Sequence, residues 1–194
     1  MTARSMVPVQ TLTPEQQLQA AALVRQAVPP YYQSLSDAAA DRLIANEFGA
    51  PGTELEHCRA IVDGDRVAAI LCTYPMGELA ERQYNSFQLV GRTLEREQFA
   101  GFAMNLRQLR GGFPEIAGDG TYLAFITIAE AARGSGLAET VLQEAIAEAG
   151  TDPLSLTVRI DNGRARSFYD KHGFEEVAAG GSYAFLRRTA GGTR

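Results

Sequence analysis

The first strong periodicity along the chain begins at Thr13-Pro14-Glu15-Gln16. It reads as a helix start: a threonine N-cap, proline at the first helical position and an acidic first turn. Leu18, Ala21, Ala22 and Val24 continue the apolar stripe until Pro29-Pro30 stops it. Ahead of this helix, Val7 to Leu12 predicts a short strand. A second helix is predicted from Ser36, carried by Ala40, Leu43, Ile44 and Phe48, and Gly49, Pro51 and Gly52 end it. Then the period changes. Arg59–Asp63 and Arg66–Tyr74 are β-prone runs separated by Gly64-Asp65 and closed by Pro75, a hairpin pattern.

From Glu78 to Arg110 the helical spacing returns, through Phe87, Val90 and Leu94 and then Phe99, Phe102, Leu106 and Leu109. Gly91 and Gly101 weaken the propensity, so two helices or one broken helix are predicted. Gly111-Gly112-Phe113-Pro114 ends the section. Thr121 to Ile128 is strongly β-prone. After Arg133-Gly134-Ser135-Gly136 comes an amphipathic helix whose stripe is Leu137, Ala138, Val141, Leu142, Ala145, Ile146 and Ala149. Gly150 caps it and Pro153 prevents continuation. Leu154 to Ile160 predicts another strand, and Asn162 caps a short helix bearing Ala165, Phe168, Tyr169 and His172. Gly173 ends that helix, and strands at Phe174–Ala178 and Tyr183–Arg187 finish the chain. The order is β, α, α, β, β, helical insert, β, α, β, α, β, β. It predicts an α/β sheet with both parallel and antiparallel pairs. No repeat or linker divides residues 1–194 into more than one domain.

Composition agrees with this and narrows the partners. Of 194 residues, 45% are apolar and 21% charged, enough for one core of substantial size. A formal charge of −5 gives no general attraction to nucleic acid or to an anionic membrane, and is compatible with a cationic amine as acceptor. Cys58 and Cys72 flank the hairpin without metal-ligand spacing and read as buried thiols rather than a disulfide. The N-terminal residues carry no apolar signal region, and no stretch approaches the roughly 20 apolar residues that span a bilayer. The expectation is a soluble, cytoplasmic protein.

The chemistry concentrates in the glycine turn. Glycines let the backbone turn sharply and approach a ligand without a Cβ in the way. Free amides at a helix start, aided by its dipole, bind phosphate oxygens, and Arg133 adds a charge-assisted contact. Residue types and spacing therefore predict an anion site, most simply for a diphosphate. The lysine and Ser/Thr of a triphosphatase P-loop are absent after Gly136, and Glu139 stands where the dinucleotide pattern GxGxxG needs its third glycine.

Arg133-x-x-Gly136-x-Ala138, set between a strand and an amphipathic helix, resembles the acyl-CoA diphosphate loop of the GNAT acetyltransferase superfamily. Leu156-x-Val158 followed by Asn162-x-x-Ala165-x-x-x-Tyr169-x-x-x-Gly173-Phe174 is similar to that superfamily's next element. The resemblance implies a mixed, mostly antiparallel central sheet flanked by helices, with a helical insertion at about 78–110 before the cofactor strand. It implies an N-acyltransferase moving an acetyl group from acetyl-CoA to an amine, small-molecule or peptide, directly in a ternary complex and without a metal. Ile126, Thr127 and Ile128 would offer backbone groups to the pantetheine arm. The amide of Ile128 could also polarise the thioester carbonyl. Amides of Arg133, Gly134, Ser135, Gly136, Leu137 and Ala138 would hold the diphosphate. Asn162 would contact the pantetheine or adenosine part, or serve only as an N-cap. Tyr169 would protonate the departing thiolate, or simply pack in the core.

The amine must be neutral to attack, and Glu130, just after the cofactor strand, is the first candidate base, with Glu78 and Glu81 as alternatives. His57 and His172 take no role. Tyr84, Phe87, Phe99, Phe102 and Met104 of the insert either cover an acceptor pocket or form a packing or homodimer surface. The competing function is a non-catalytic acyl-CoA-binding regulatory module, for which an acid at Tyr169 has no purpose.

Overall fold

The structure, a computed structural model, describes residues 5–189. Its seven strands form one sheet in the order β1-β2-β3-β4-β5-β7-β6. They are β1 (Val7–Pro8), β2 (Arg59–Asp63), β3 (Arg66–Pro75), β4 (Thr121–Ile128), β5 (Leu154–Arg159), β6 (Glu175–Ala179) and β7 (Tyr183–Arg188). Every neighbouring pair is antiparallel except β4 with β5. This is the mixed, mostly antiparallel sheet that the family resemblance implied. The β2–β3 turn falls at Gly64-Asp65, where Gly64 supplies φ +60°.

Side chains alternate across the sheet and separate two cores. Ile70, Cys72, Tyr74, Tyr122 and Phe185 face α1 (Pro14–Ala27) and α3 (Asp37–Glu47). Ala69, Leu71, Leu123, Leu156 and Leu186 face α6 (Leu137–Ala149) and α7 (Gly163–Lys171). Helix α1 starts as its sequence dictates. Thr13 accepts from the Gln16 amide at 3.3 Å, and Gln16 accepts in return from the Thr13 amide at 3.2 Å.

Two local expectations change. The strand expected over Val7 to Leu12 shrinks to two residues, because the chain turns into a 3₁₀ helix at Val9–Thr11. Pro8 has no amide to extend a ladder, and the Thr11 hydroxyl donates to the Pro8 carbonyl at 2.7 Å. Pro29-Pro30 does stop α1, but the same two prolines open another single helical turn, α2 (Pro29–Tyr32).

The insert resolves into two helices, α4 (Leu79–Thr93) and α5 (Arg96–Arg110), between β3 and β4. Phe87, Phe99 and Phe102 pack there with Leu43 and Val90, while Tyr84 and Met104 lie exposed. Asn105 of α5 is buried and holds α2 in place. It donates to the carbonyls of Pro30 and, at 2.9 Å, Tyr31, and accepts from the Gln33 side chain.

Candidate active site

Strands β4 and β5 touch only at Thr121–Leu154 and Tyr122–Ser155, and beyond these pairs they diverge. Pairing with β3 decides which backbone groups of β4 face the resulting gap. The Ala129 amide donates to Ala68 at 2.9 Å, so in the antiparallel alternation Thr127 also turns its amide and carbonyl toward β3. Ile126 and Ile128 therefore turn theirs toward the gap. Of the three residues named as offering backbone groups, Ile126 and Ile128 face the gap and Thr127 faces β3. On the other wall, the β5–β7 register turns the backbone of Thr157 and Arg159 inward.

At the end of β4 the chain makes a 3₁₀ turn over Glu130–Ala132 and enters the glycine loop. Gly134 and Gly136 both sit at φ +80°, a left-handed conformation that an L side chain enters at a cost of about 1–2 kcal/mol. A Cβ at either position would meet nothing within 4 Å, so these glycines serve the turn and leave the space above it open. Gly136 is the N-cap of α6 and offers no side chain. The backbone amides of residues 134–139 consequently find no partner among the described residues. The loop is braced from below, where the Ser135 hydroxyl donates to the Ala132 carbonyl at 2.6 Å. Arg133 is exposed, with one long contact from Nε to the Ile128 carbonyl at 3.4 Å. A row of unsatisfied amides at a helix start beside a free guanidinium can take a diphosphate.

Tyr169 lies in the same apolar layer as Ile126, Ile128 and Leu137, against Phe168 and Phe174. Its hydroxyl has no hydrogen-bond partner among the described residues, and burial alone pushes its pKa well above that of an ordinary tyrosine. Such a phenol stays protonated at neutral pH and can serve as an acid. Asn162 is exposed and accepts from the Ala165 amide at 3.1 Å, capping α7. Its side-chain nitrogen has no hydrogen-bond partner among the described residues. Glu130 is exposed on the 3₁₀ turn and has no ion pair among the described residues.

A model described as the acetyltransferase (GNAT) family matches residues 22–174. The chain belongs to the GNAT acetyltransferase family. No curated protein matches the sequence. Among solved structures, an N-acetyltransferase from Staphylococcus aureus Mu50 superposes with a TM-score of 0.73 at 17% identity, over 94% of this chain and 99% of that one. A PaiA N-acetyltransferase from Thermoplasma acidophilum in complex with coenzyme A gives 0.53 at 12%, over 95% and 98%. The NatC complex bound to Gag peptide and CoA gives 0.52 at 13%, over 95% and 97%. At these identities the likeness is one of fold. It agrees with the family assignment, which makes this protein an acetyltransferase.

On the opposite face of this GNAT sheet lies a group that periodicity and motif did not reveal. Glu54, in the loop between α3 and β2, is half-buried and accepts from the Tyr74 hydroxyl at 3.0 Å. Its backbone is pinned over the middle of β3, where the Cys72 thiol donates to its carbonyl at 2.9 Å. Cys72 pairs with Phe125 beside the β3–β4 bulge, so Glu54 stands one strand away from the point where β4 leaves β5. Burial raises the Glu54 pKa, while hydrogen bonds from Tyr74 and Gln83 and the nearby Arg82 oppose the rise. Behind it, Glu47 is 6% exposed and accepts from the Ser86 hydroxyl. Burial pushes Glu47 up to about 7, against the opposing effect of Ser86 and of the Glu54 and Leu55 amides. The only hint in the sequence was negative: carboxylates at 47 and 54 bracket a glycine- and proline-broken loop that also has to bury Leu55 and Cys58.

Proposed function

We propose that this protein transfers an acetyl group from acetyl-CoA to an amine, directly and in a ternary complex. The observation that carries this reading is the row of unpartnered amides at residues 134–139, continuous with the free edge of β4 at Ile126 and Ile128. Acetyl-CoA fits that chain of donors: its diphosphate suits the glycine loop, and its amide-bearing pantetheine arm suits a strand edge with unused N–H and C=O groups. The coenzyme-A-bound relatives of the same fold support the assignment.

Acetyl-CoA supplies an activated thioester. Residues of the chain bind and orient it. Amides from Gly134 to Ala138 hold the diphosphate, with the Arg133 guanidinium beside them; the Arg133 amide, expected among these donors, is instead committed to the Glu130 carbonyl at 3.1 Å. The Ile126 and Ile128 backbone aligns the arm, and the Ile128 amide faces the carbonyl oxygen where negative charge develops. The Asn162 amide nitrogen supports the arm from the α7 side. Tyr169 holds its proton at the hydroxyl and delivers it to the leaving sulfur. Glu130 is exposed at the rim of the cofactor loop and suits a role in passing protons to solvent. The described residues act as one catalytic unit, with α4 and α5 as an elaboration of it.

Tyr169→Phe tests this reading. It should keep acetyl-CoA affinity within about twofold while losing roughly 100-fold or more in kcat toward amines. A variant with unchanged turnover would remove Tyr169 from the chemistry. Coenzyme A binding without turnover by wild type toward any amine would instead favour the regulatory module.

A further inference from the structure

Glu54 is a carboxylate without a cationic partner among the described residues, and its surroundings are organised to keep it so. Arg82, the guanidinium that acts on Glu54 electrostatically, directs its Nε and Nη1 donors elsewhere: Nε to Glu78 at 2.8 Å, and Nη1 to Glu56 at 3.0 Å and to the Thr53 carbonyl at 2.7 Å. Arg82 thus braces the loop that carries Glu54 and stacks over the Tyr74 ring at 5.2 Å. Four tyrosines from three elements lie within electrostatic reach of the Glu54 carboxylate: Tyr31 and Tyr32 of α2, Tyr74 of β3 and Tyr122 of β4. Two of these hydroxyls are used, Tyr74 on Glu54 itself and Tyr122 on Thr157 at 2.9 Å across the closed end of the β4–β5 gap. The hydroxyls of Tyr31 and Tyr32 have no hydrogen-bond partner among the described residues. Beyond Tyr31 the aromatic wall continues through Phe113, which stacks on Tyr183 at 3.9 Å.

A negative charge among four tyrosines, two of them with idle hydroxyls, matches one class of ligand, an ammonium on an apolar body. The position matches as well. Glu54 lies on the α1–α3 face of the sheet and Tyr169 on the α6–α7 face, with β4 and its bulge between them. Acyl transfer adds the amine to one face of the thioester carbonyl and then expels the sulfur from the tetrahedral intermediate, so a base on one side of β4 and an acid on the other serve the two steps without competing for the same space. We infer that the acceptor is a primary amine carried on an aromatic or apolar body, that Glu54 receives its ammonium, and that Glu54 takes the proton that frees the nitrogen to attack. This inference rests on the amine-acetylating function proposed above.

The protons balance. An ammonium nitrogen loses two protons in becoming an amide. Glu54 accepts the first and returns it to solvent. Tyr169 gives its proton to the sulfur, which leaves as a thiol as the carbon–nitrogen bond forms and the carbon–sulfur bond breaks, and the second nitrogen proton, passed through solvent, restores the phenol. Tyr74 on β3 and Gln83 and Arg82 on α4 oppose the rise that burial gives the Glu54 pKa, and the other titratable groups around it are Cys72 on β3, Tyr122 on β4, Tyr31 and Tyr32 on α2 and Glu47 on α3.

The experiment uses the full chain with acetyl-CoA and 2-phenylethylamine, following thiol release against pH. Glu54→Gln should bind acetyl-CoA as wild type does and lose about 100-fold in kcat/KM for the amine, and the deficit should shrink as pH approaches the amine's own pKa. Glu54→Asp should recover part of the loss. Tyr74→Phe removes a hydrogen bond that holds the Glu54 pKa down, so the acid limb of the wild-type profile should move to higher pH even if Glu54→Gln fails to fold. Wild-type turnover with an unimpaired Glu54→Gln, or an acid limb unmoved in Tyr74→Phe, overturns the role of Glu54 and leaves acetyl transfer standing. Wild-type turnover of n-butylamine with none of 2-phenylethylamine overturns the aromatic preference. No turnover of any amine by wild type removes the proposed function, and this inference with it.

Discussion

Glu47→Gln is the perturbation whose size follows most directly from the structure. The carboxyl is 6% exposed, and burial raises its pKa from 4.5 to about 7. Between those two values the folded protein holds a proton that the unfolded chain has released. Stability from this group is therefore fully present below pH 4.5 and is lost as pH rises through about 7. The interval corresponds to about 3 kcal/mol. A glutamine of the same shape keeps an oxygen for the Glu54 and Leu55 amides and does not titrate. Urea unfolding followed by far-ultraviolet circular dichroism, at steps from pH 4.5 to 8, should show wild type losing about 3 kcal/mol more than the variant over this range. The difference between the two slopes is the readout, because every other titrating group is common to both proteins. Parallel slopes would refute the burial of a carboxyl at this position. A variant that steepened with pH would refute the sign.

Two further substitutions probe the supports of the site. Asn105→Leu strands the Pro30 and Tyr31 carbonyls and the Gln33 amide. It should cost about 2 kcal/mol or more in unfolding free energy and raise the amine KM more than it lowers acetyl-CoA affinity. Gly120→Ala forces a side chain into φ +88° with its Cβ 2.2 Å from the Pro153 carbonyl, beside the β4–β5 junction. It should destabilise by more than about 2 kcal/mol in thermal unfolding, whereas Gly64→Ala, with open space around its Cβ, should cost only about 1–2 kcal/mol.

What could be read from the sequence was what is local in it. The glycine turn announces itself because a left-handed backbone demands the residue types that stand at 134 and 136, and the stripe from Leu137 to Ala149 follows immediately. Asn162 and Thr13 are legible as caps for the same reason, each acting within three residues of itself. Glu54 was not legible. The residues that give it meaning, Tyr31, Tyr32, Tyr74 and Tyr122, lie on a helical turn and two strands, and no spacing rule joins them. The second helical turn at Pro29–Tyr32 was missed because a double proline marks a helix start as well as a helix end. The large apolar residues of the insert divided according to packing: Phe87, Phe99 and Phe102 turned inward, and Tyr84 and Met104 outward. The near-helical spacing had already separated them: Phe87, Phe99 and Phe102 stand on the predicted stripe, and Tyr84 and Met104 do not.

The central claim is that the glycine loop and the free edge of β4 bind acetyl-CoA. Calorimetric titration of wild type and Gly136→Asp with acetyl-CoA, and with desulfo-CoA as a control lacking the thioester, tests it most directly. Aspartate at Gly136 sets a negative charge in the open space above the loop, where the proposed function seats the diphosphate. The account predicts saturable one-to-one binding of both ligands by wild type, and an affinity at least about 100-fold weaker in a variant that still unfolds cooperatively. No binding by folded wild type, or equal binding by Gly136→Asp, would contradict it.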